Sequence, residues 1–428
     1  MAKKVLIIAY YWPPAGGPGV QRWLKFAKYL PDFDITPLVY VPKNAHYPII
    51  DNALEAEVPK TMTVIKTPIV EPYGWASALS RKQTKTISAG IIPDASKQNL
   101  FQKALLYARG NFFVPDARVL WVKPSIKFLK AYISDHQIDT VITTGPPHSI
   151  HLIGLGLKKS LPLRWIADFR DPWTTIGYHD KLRMTKKTKQ KHKRLEKIVL
   201  NTADDVIVTS PGTKKNFKQL TSKPITVITN GFDSAINVEK STSGSFTIAH
   251  IGSLLAQRNP EMLWKAMASL VAENPAFKAI FKLQLVGKVS PQVIESIKRL
   301  GLEDYLEIVG YVAHQKARQL QHKATLLLLI EIDAAITKEI IPGKIFEYLA
   351  AQRPILAVGP KDADVEQILN ETNGGRFFTY DQLEPIKNFI LKAFEDFQKG
   401  EVLALKAPEQ YHRKSLTKSL ARLIKEKM

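Results

Sequence analysis

Two carboxylates eight residues apart, Glu339 and Glu347, bracket the tripeptide Pro342-Gly343-Lys344 in the stretch KEIIPGKIFEYLAAQRPILAVGP. Proline suits the first turn of a helix, where the leading N–H groups have no intrahelical partner. The preceding TLLLLIEI (325–332) is apolar enough for a strand buried on both faces. Glu339 then lies in the loop at that strand's carboxyl end, and Glu347 about a turn and a half inside the helix. Free N–H groups at Gly343 and Lys344, with the positive end of the helix dipole, make an anion site. A glutamate on either side can accept hydrogen bonds from a pair of hydroxyls. A sugar nucleotide, with hexose, diphosphate and ribose in line, has that layout.

The elements that must position these residues follow from the apolar periodicity. Short runs rich in Val, Ile and Leu alternate with segments of helical period, as parallel strands joined by crossover helices do. The first half offers KVLIIAYY (4–11), ITPLVYVP (35–42), TVITTGPP (140–147), LRWIADFR (163–170), DVIVTS (205–210) and ITVITNG (225–231). After the polar stretch VEKSTSGS the cadence restarts with FTIAHIGS (246–253), FKLQLVG (281–287), LEIVGYV (306–312), TLLLLIEI and PILAVGP (354–360). Two doubly wound α/β domains are expected, residues 1–235 and 236–408, with a linker near 233–245. The basic amphipathic segment 409–428 is expected to pack back on the first domain. Ligands of such sheets bind beyond the carboxyl ends of the strands, which is where the two glutamates fall.

Composition narrows the class. Of the 428 residues 45% are hydrophobic and 23% charged, an ordinary globular balance. No apolar run is long enough to cross a bilayer. The opening MAKKVLIIAYYWPP runs into Trp-Pro-Pro without a cleavage site, so it reads as a first strand rather than a signal peptide. The absence of cysteine removes disulfides and thiolate metal sites and fits a cytoplasmic protein. The net charge of +22 is uneven: residues 1–240 hold 36 lysines and arginines against 18 acidic residues. Such a bias suits a polyanionic surface, but no nucleic-acid motif is present and the basic run has no stacking aromatics between its lysines.

In this context the chain resembles the retaining glycosyltransferases of family 4, which have the GT-B fold of two Rossmann-like domains facing across a cleft. Glu339 and Glu347 match the family's Glu-x7-Glu spacing. YYWPPAGGPGVQRW resembles its glycine-rich loop after the first strand, TNGFD (229–233) its lead into the linker, and HIGSLLAQRNP (250–260) the start of its donor domain. FFVPDARVLW, TTGPPHSIHLIGLGLKK and IADFRDPW resemble segments of bacterial members that build cell-surface polysaccharides. The resemblance implies that Glu347 holds the donor ribose, that Glu339 lies beside the transferred sugar, and that basic residues clamp the diphosphate. Here the first basic position is Ser253 and only Arg258 occupies the second, so Lys344 is expected to supply the missing charge. Gly16 and Gly17 are expected to let backbone approach the donor phosphate or the acceptor; a plain tight turn is the alternative. His148, or else His151, is expected near the transferred sugar, and Asp171, with Asp168 and Arg170, near the reacting groups. An internal Arg–Asp pair accounts for these last three equally well.

By the same resemblance the leaving phosphate takes the acceptor's proton, so that Glu339, Arg258, Lys344, His148 and Asp171 act by position and charge. No cofactor or metal is expected beyond the nucleoside-diphosphate sugar itself; the Asp-x-Asp triplets at 32–34 and 362–364 read as incidental. The expected partners are a glycan or lipid-linked acceptor and the anionic inner face of the plasma membrane. For the membrane, residues 100–133 mix apolar and basic side chains, and 181–197 is dense in lysine and arginine; a helix packed in the core accounts for the first segment as well. A GT-B sugar-nucleotide epimerase and a catalytically silent GT-B subunit are the alternative functions.

Overall fold

The computed structural model describes residues 2–71, 100–175, 182–233, 244–401 and 405–426; most of the expected linker, 234–243, lies outside them. The chain divides into two compact units, one of Met1–Asn230 joined by Arg413–Met428, the other of Gly231–His412. Each is built on an all-parallel sheet.

In the first unit the strands are β1 (Lys3–Ile8), β2 (Ile35–Pro42), β3 (Thr63–Thr67), β4 (Thr140–Gly145), β5 (Arg164–Phe169), β6 (Asp205–Val208) and β7 (Ile225–Val227), in the order β3-β2-β1-β4-β5-β6-β7. In the second they are β8 (Phe246–Ile251), β9 (Phe281–Val286), β10 (Leu306–Gly310), β11 (Leu326–Ile330), β12 (Ile355–Val358) and β13 (Gly375–Phe378), in the order β10-β9-β8-β11-β12-β13. Each order reverses at one point, between β1 and β4 and between β8 and β11. At such a point the crossovers leave to opposite sides and open a crevice at the carboxyl edge.

Alternation along the strands fills both faces of each sheet. In the first unit Leu6, Ile8, Val141, Trp165 and Val206 pack with Leu129, Ile150 and Ile153, while Val5, Ile7, Ile142, Ile166 and Ile207 pack with Trp23, Leu24 and Ala27. The Arg413–Lys425 helix completes the second of these layers with Leu416, Leu420, Leu423 and Ile424. Arg164 holds its end, donating to the carbonyls of Ile424 (3.4 Å) and Glu426 (2.6 Å) while paired with Asp205. Lys414 and Lys425 reach Asp32 and Asp34 at 2.7 and 3.4 Å. The carboxylates of the first Asp-x-Asp triplet are thus engaged in fastening this helix.

The strands at both unexpected positions are sheet edges. β3 (TVIKT) is half exposed and pairs only with β2, so it has no apolar run to announce it. β13 opens on Gly375 at φ +155°, where a Cβ would stand 2.0 Å from the Ile355 carbonyl oxygen. Only glycine lets this strand close on β12.

Candidate active site

In the second unit the switch point gathers residues from four elements. The Gly343–Ala350 helix buries Ile345, Phe346, Tyr348, Leu349 and Ala350 and turns Lys344 and Glu347 away from that face. Pro342 stands at its N-cap, one position earlier than expected, and no side chain caps the N-terminus. Tyr348 ties the helix to the sheet: its hydroxyl accepts from the Ile251 N–H at 3.0 Å and lies 3.3 Å from the Leu328 carbonyl. The first turn is thereby fixed beside the ends of β8 and β11.

Around that turn lie the charges. Gly252, at φ +131° directly after β8, has no room for a side chain because a Cβ there would lie 2.4 Å from Lys344 Nζ. Ser253 follows it, exposed. Arg258, half-buried five residues on, reaches Glu331 at 3.8 Å. Burial pushes the Lys344 amine down to about 8; Arg258 pushes the same way, while Glu331 and Glu347 oppose it. Glu347 accepts from the Gln321 side-chain amide at 3.1 Å and lies 3.4 Å from His314 Nε2. Both partners belong to the His314–Lys323 helix after β10. Glu339 is half-buried in the loop after the Ala335–Thr337 turn. Behind the cluster, burial drives His250 down to about 3, with Lys344 and Arg258 adding to it, so the ring is neutral; its Nδ1–H faces the Leu328 carbonyl at 3.0 Å. The arrangement is a pair of cations at a helix N-terminus, with carboxylates beside them, suited to a phosphorylated, hydroxyl-rich ligand.

In the first unit the switch point is more enclosed. Gly17 (φ +106°) is the N-cap of the Pro18–Tyr29 helix, and a Cβ on Gly16 would come 2.9 Å from Ile49. Arg170 lies across the next glycine: a Cβ on Gly19 would be 1.4 Å from its Nη1. It also donates to the Pro146 carbonyl. Asp168 faces no crevice. It is fully buried and accepts from Arg22 (2.9 Å), Trp23 Nε1 (2.8 Å) and Thr144 (2.8 Å). An internal Arg–Asp pair does exist, but its arginine is Arg22 of the glycine-loop helix rather than Arg170. Asp171 is half-buried, its carboxyl raised by burial against the pull of Arg170.

Both imidazoles turn inward, contrary to expectation. His151 is fully buried, stacked on Phe169 and 2.9 Å from the Thr143 hydroxyl, and burial pushes it down to about 3. His148 is 3% exposed and stacks flat on Trp173. The physical reason is the strand-to-helix turn itself. Asp116 caps the Ser149–Lys158 helix, accepting from the Ser149 N–H and hydroxyl, and this draws its first turn under the loop after β5. That loop is held in turn by Glu196, which accepts from the Trp173 and Thr174 N–H groups and the Thr174 hydroxyl, and by His192, which accepts from Trp173 Nε1.

The spacing of residues therefore led to Lys344, Glu347, Arg258 and Ser253, which the fold does bring to one switch point. It passed over Glu331, Gly252 and Glu196. A lone acid closing an apolar run, as Glu331 does in TLLLLIEI, was the available signal.

Comparison with known proteins places the chain in a family. Residues 91–235 match the model for Glycosyltransferase Family 4, and residues 245–396 the model for Glycosyl transferases group 1. No curated protein matches the chain. Among solved structures, HepE of Anabaena in complex with UDP has a TM-score of 0.62 at 16% identity, covering 99% of both chains. A glycosyltransferase from Rickettsia africae has 0.62 at 13% identity, over 99% of this chain and 98% of its own. WaaG, a glycosyltransferase involved in lipopolysaccharide biosynthesis, has 0.54 at 13% identity, over 99% and 100%. The two family models together take in more than half of the chain and meet one on each parallel-sheet unit, and the chain therefore belongs to the glycosyltransferases of the GT-B fold.

Proposed function

We propose that the protein is a retaining, metal-independent hexosyltransferase that moves a sugar from a nucleoside-diphosphate sugar to a lipid-linked glycan acceptor in cell-surface polysaccharide synthesis. The observation that carries this reading is the meeting of Arg258, Lys344 and Glu347 at the uncapped N-terminus of the Gly343–Ala350 helix. HepE binds UDP and UDP-glucose, and TarM binds UDP together with α-GlcNAc-glycerol, which makes uridine nucleotides the first donors to test.

In this reading the diphosphate lies on the helix N-terminus between Arg258 and Lys344. Glu347, oriented by Gln321 and His314, accepts from the ribose hydroxyls, and Glu339 accepts from the transferred sugar. As the sugar–phosphate bond breaks, charge grows on the diphosphate, and the two cations bind that charge more tightly than the ground state. Losing one donor from such a clamp typically costs about 10²- to 10³-fold in rate. The departing phosphate oxygen takes the acceptor hydroxyl's proton on the same face, so configuration is retained. Asp171, half-buried, is the acceptor-side carboxylate. His148 acts from beneath, supporting Trp173 and the loop that carries Asp171.

Docking on an anionic membrane surface rests on two exposed features of the first unit. Tyr107, Phe112, Leu120 and Phe128 are exposed, Phe112 at 74%, in company with exposed Lys123, Lys127 and Lys130. The Lys186–Thr202 helix buries Thr188, His192, Glu196 and Val199 and exposes Lys186, Lys187, Lys189, Lys191, Lys193, Arg194 and Lys197. Apolar anchors beside lysines suit a headgroup region without any spanning helix; among the described residues none is long and apolar enough to cross a membrane.

A thermal-shift screen against UDP, GDP, ADP and CMP tests the donor site. One nucleoside diphosphate is expected to raise the unfolding temperature by mass action, and Glu347→Ala to abolish the shift. An equal response from Glu347→Ala would remove that residue from the site.

A further inference from the structure

The carboxyl end of β11 carries a charge of the wrong sign for a phosphate site. Glu331 is 5% exposed, and its Oε2 lies 3.8 Å from Arg258 Nη2. It also acts on Lys344, whose amine is packed over Gly252. Three charges on three elements thus converge: Arg258 from the loop after β8, Glu331 from the end of β11, and Lys344 from the helix that follows. A buried carboxylate here weakens the attraction for any anion unless it serves the cations themselves.

It does serve them. Two cations brought together in a partly buried place repel, and the lysine relieves the repulsion by losing its proton, since a guanidinium does not. Burial and Arg258 both push Lys344 in that direction. The groups facing the amine that oppose it are Glu331 and Glu347. Glu347 is shared with Gln321 and His314. Of the other titratable neighbours, His250 is held neutral, and Tyr348 and Tyr380 are raised by burial and stay neutral as well. Ser253 brings no charge of its own, so a deprotonated Lys344 leaves the clamp with Arg258 alone, and that guanidinium is paired with Glu331.

We propose that Glu331 is a positioning residue of the phosphate clamp, aligning Arg258 at the crevice and holding the Lys344 amine in its charged form beside it. The proposal rests on the donor-site reading above for its purpose, but not for its test. Lysine acetylation of the full chain by trace acetic anhydride, followed from pH 6 to 10 by mass spectrometry, reports the titration of Lys344 without any nucleotide. In the wild type the midpoint is expected near 8, and in Glu331→Gln at least about one pH unit lower. In parallel, affinity for UDP is expected to fall above the wild-type midpoint, to fall earlier in Glu331→Gln, and to lose this alkaline limb in Lys344→Arg. A Lys344 midpoint unchanged in Glu331→Gln overturns the proposal. If that variant does not fold, Glu331→Asp, which withdraws the carboxylate by one methylene, is expected to move the midpoint down by less, and an unmoved midpoint there overturns it equally. Failure of UDP and the other nucleotides to bind any variant counts against the donor site, while the labelling still decides the role of Glu331.

Discussion

Asp168 shares its two oxygens among Arg22, Trp23 and Thr144, and the same Arg22 donates to the Thr229 carbonyl at 2.7 Å. Removing the carboxylate strands a buried guanidinium. Asp168→Ala is expected to cost about 3–5 kcal/mol, read as a lowered denaturant midpoint, with Asp168→Asn costing less because it keeps an acceptor for Trp23. The buried histidines set the acid side of the stability profile. His151 and His250 are pushed to about 3 and His192 to about 4. Their folded values lie below the ordinary value of 6.5, so the unfolded chain binds more protons between those limits. Stability is full above about 6.5 and declines as pH falls below it. Each histidine contributes up to about 2 kcal/mol of loss between pH 6.5 and 5. Urea denaturation at pH 7.5 and pH 5 measures the sum, and a flat profile would mean that these rings are not buried neutral. The glutamate pair was legible because a proline, a glycine and a lysine between two acids have few purposes inside a strand-to-helix turn. Asp168 and the histidines were not, since the groups that enclose them, Arg22 and Trp23 among them, lie far away in the chain and meet them only through packing.

Eleven of the strands are apolar runs that the sequence displays openly, most of them inner strands of a parallel sheet, which are covered on both faces and have no polar alternation to disguise them. β3 and β13 escaped notice because each is a short edge strand broken by charge or glycine, Lys66 in TVIKT and Gly375-Arg376 in GRFF, whereas the other two edges, β7 and β10, keep an apolar run. The C-terminal helix shows how an element far along the chain completes an earlier core. Leu420 is fully buried between this helix and the Pro18–Tyr29 helix's layer. Leu420→Ala is expected to destabilise the first unit by about 2–5 kcal/mol, seen as an earlier unfolding transition. If residues 413–428 contributed nothing to that core, the transition would not move. Gly252 makes a prediction of the opposite kind. With Lys344 where a Cβ would go and φ at +131°, Gly252→Ala is expected to displace the lysine and lower nucleotide affinity at least tenfold, measured by titration.

The whole molecule carries +22, most of it in the first 240 residues. Composition displayed that bias but not its arrangement. Only the fold shows that His192 and Glu196 of the basic helix point inward to the Trp173 loop, while seven lysines and arginines from Lys186 to Lys197 point out. At roughly 1 kcal/mol per basic residue near an anionic surface, losing Lys189, Lys193 and Lys197 costs about a hundredfold, and reversing them to glutamate is expected to weaken binding to phosphatidylglycerol vesicles by more than that. Cosedimentation measures this, and equal binding by the reversed variant would exclude the helix as the docking surface.

The central claim is that a nucleoside diphosphate sits on the Gly343 helix between Arg258 and Lys344, and isothermal titration tests it most directly. The account predicts that one nucleoside diphosphate binds at least tenfold more tightly than its monophosphate, and that Lys344→Ala removes this preference while leaving the unfolding temperature nearly unchanged. Equal affinity for mono- and diphosphate, or a preference that survives Lys344→Ala, would contradict it.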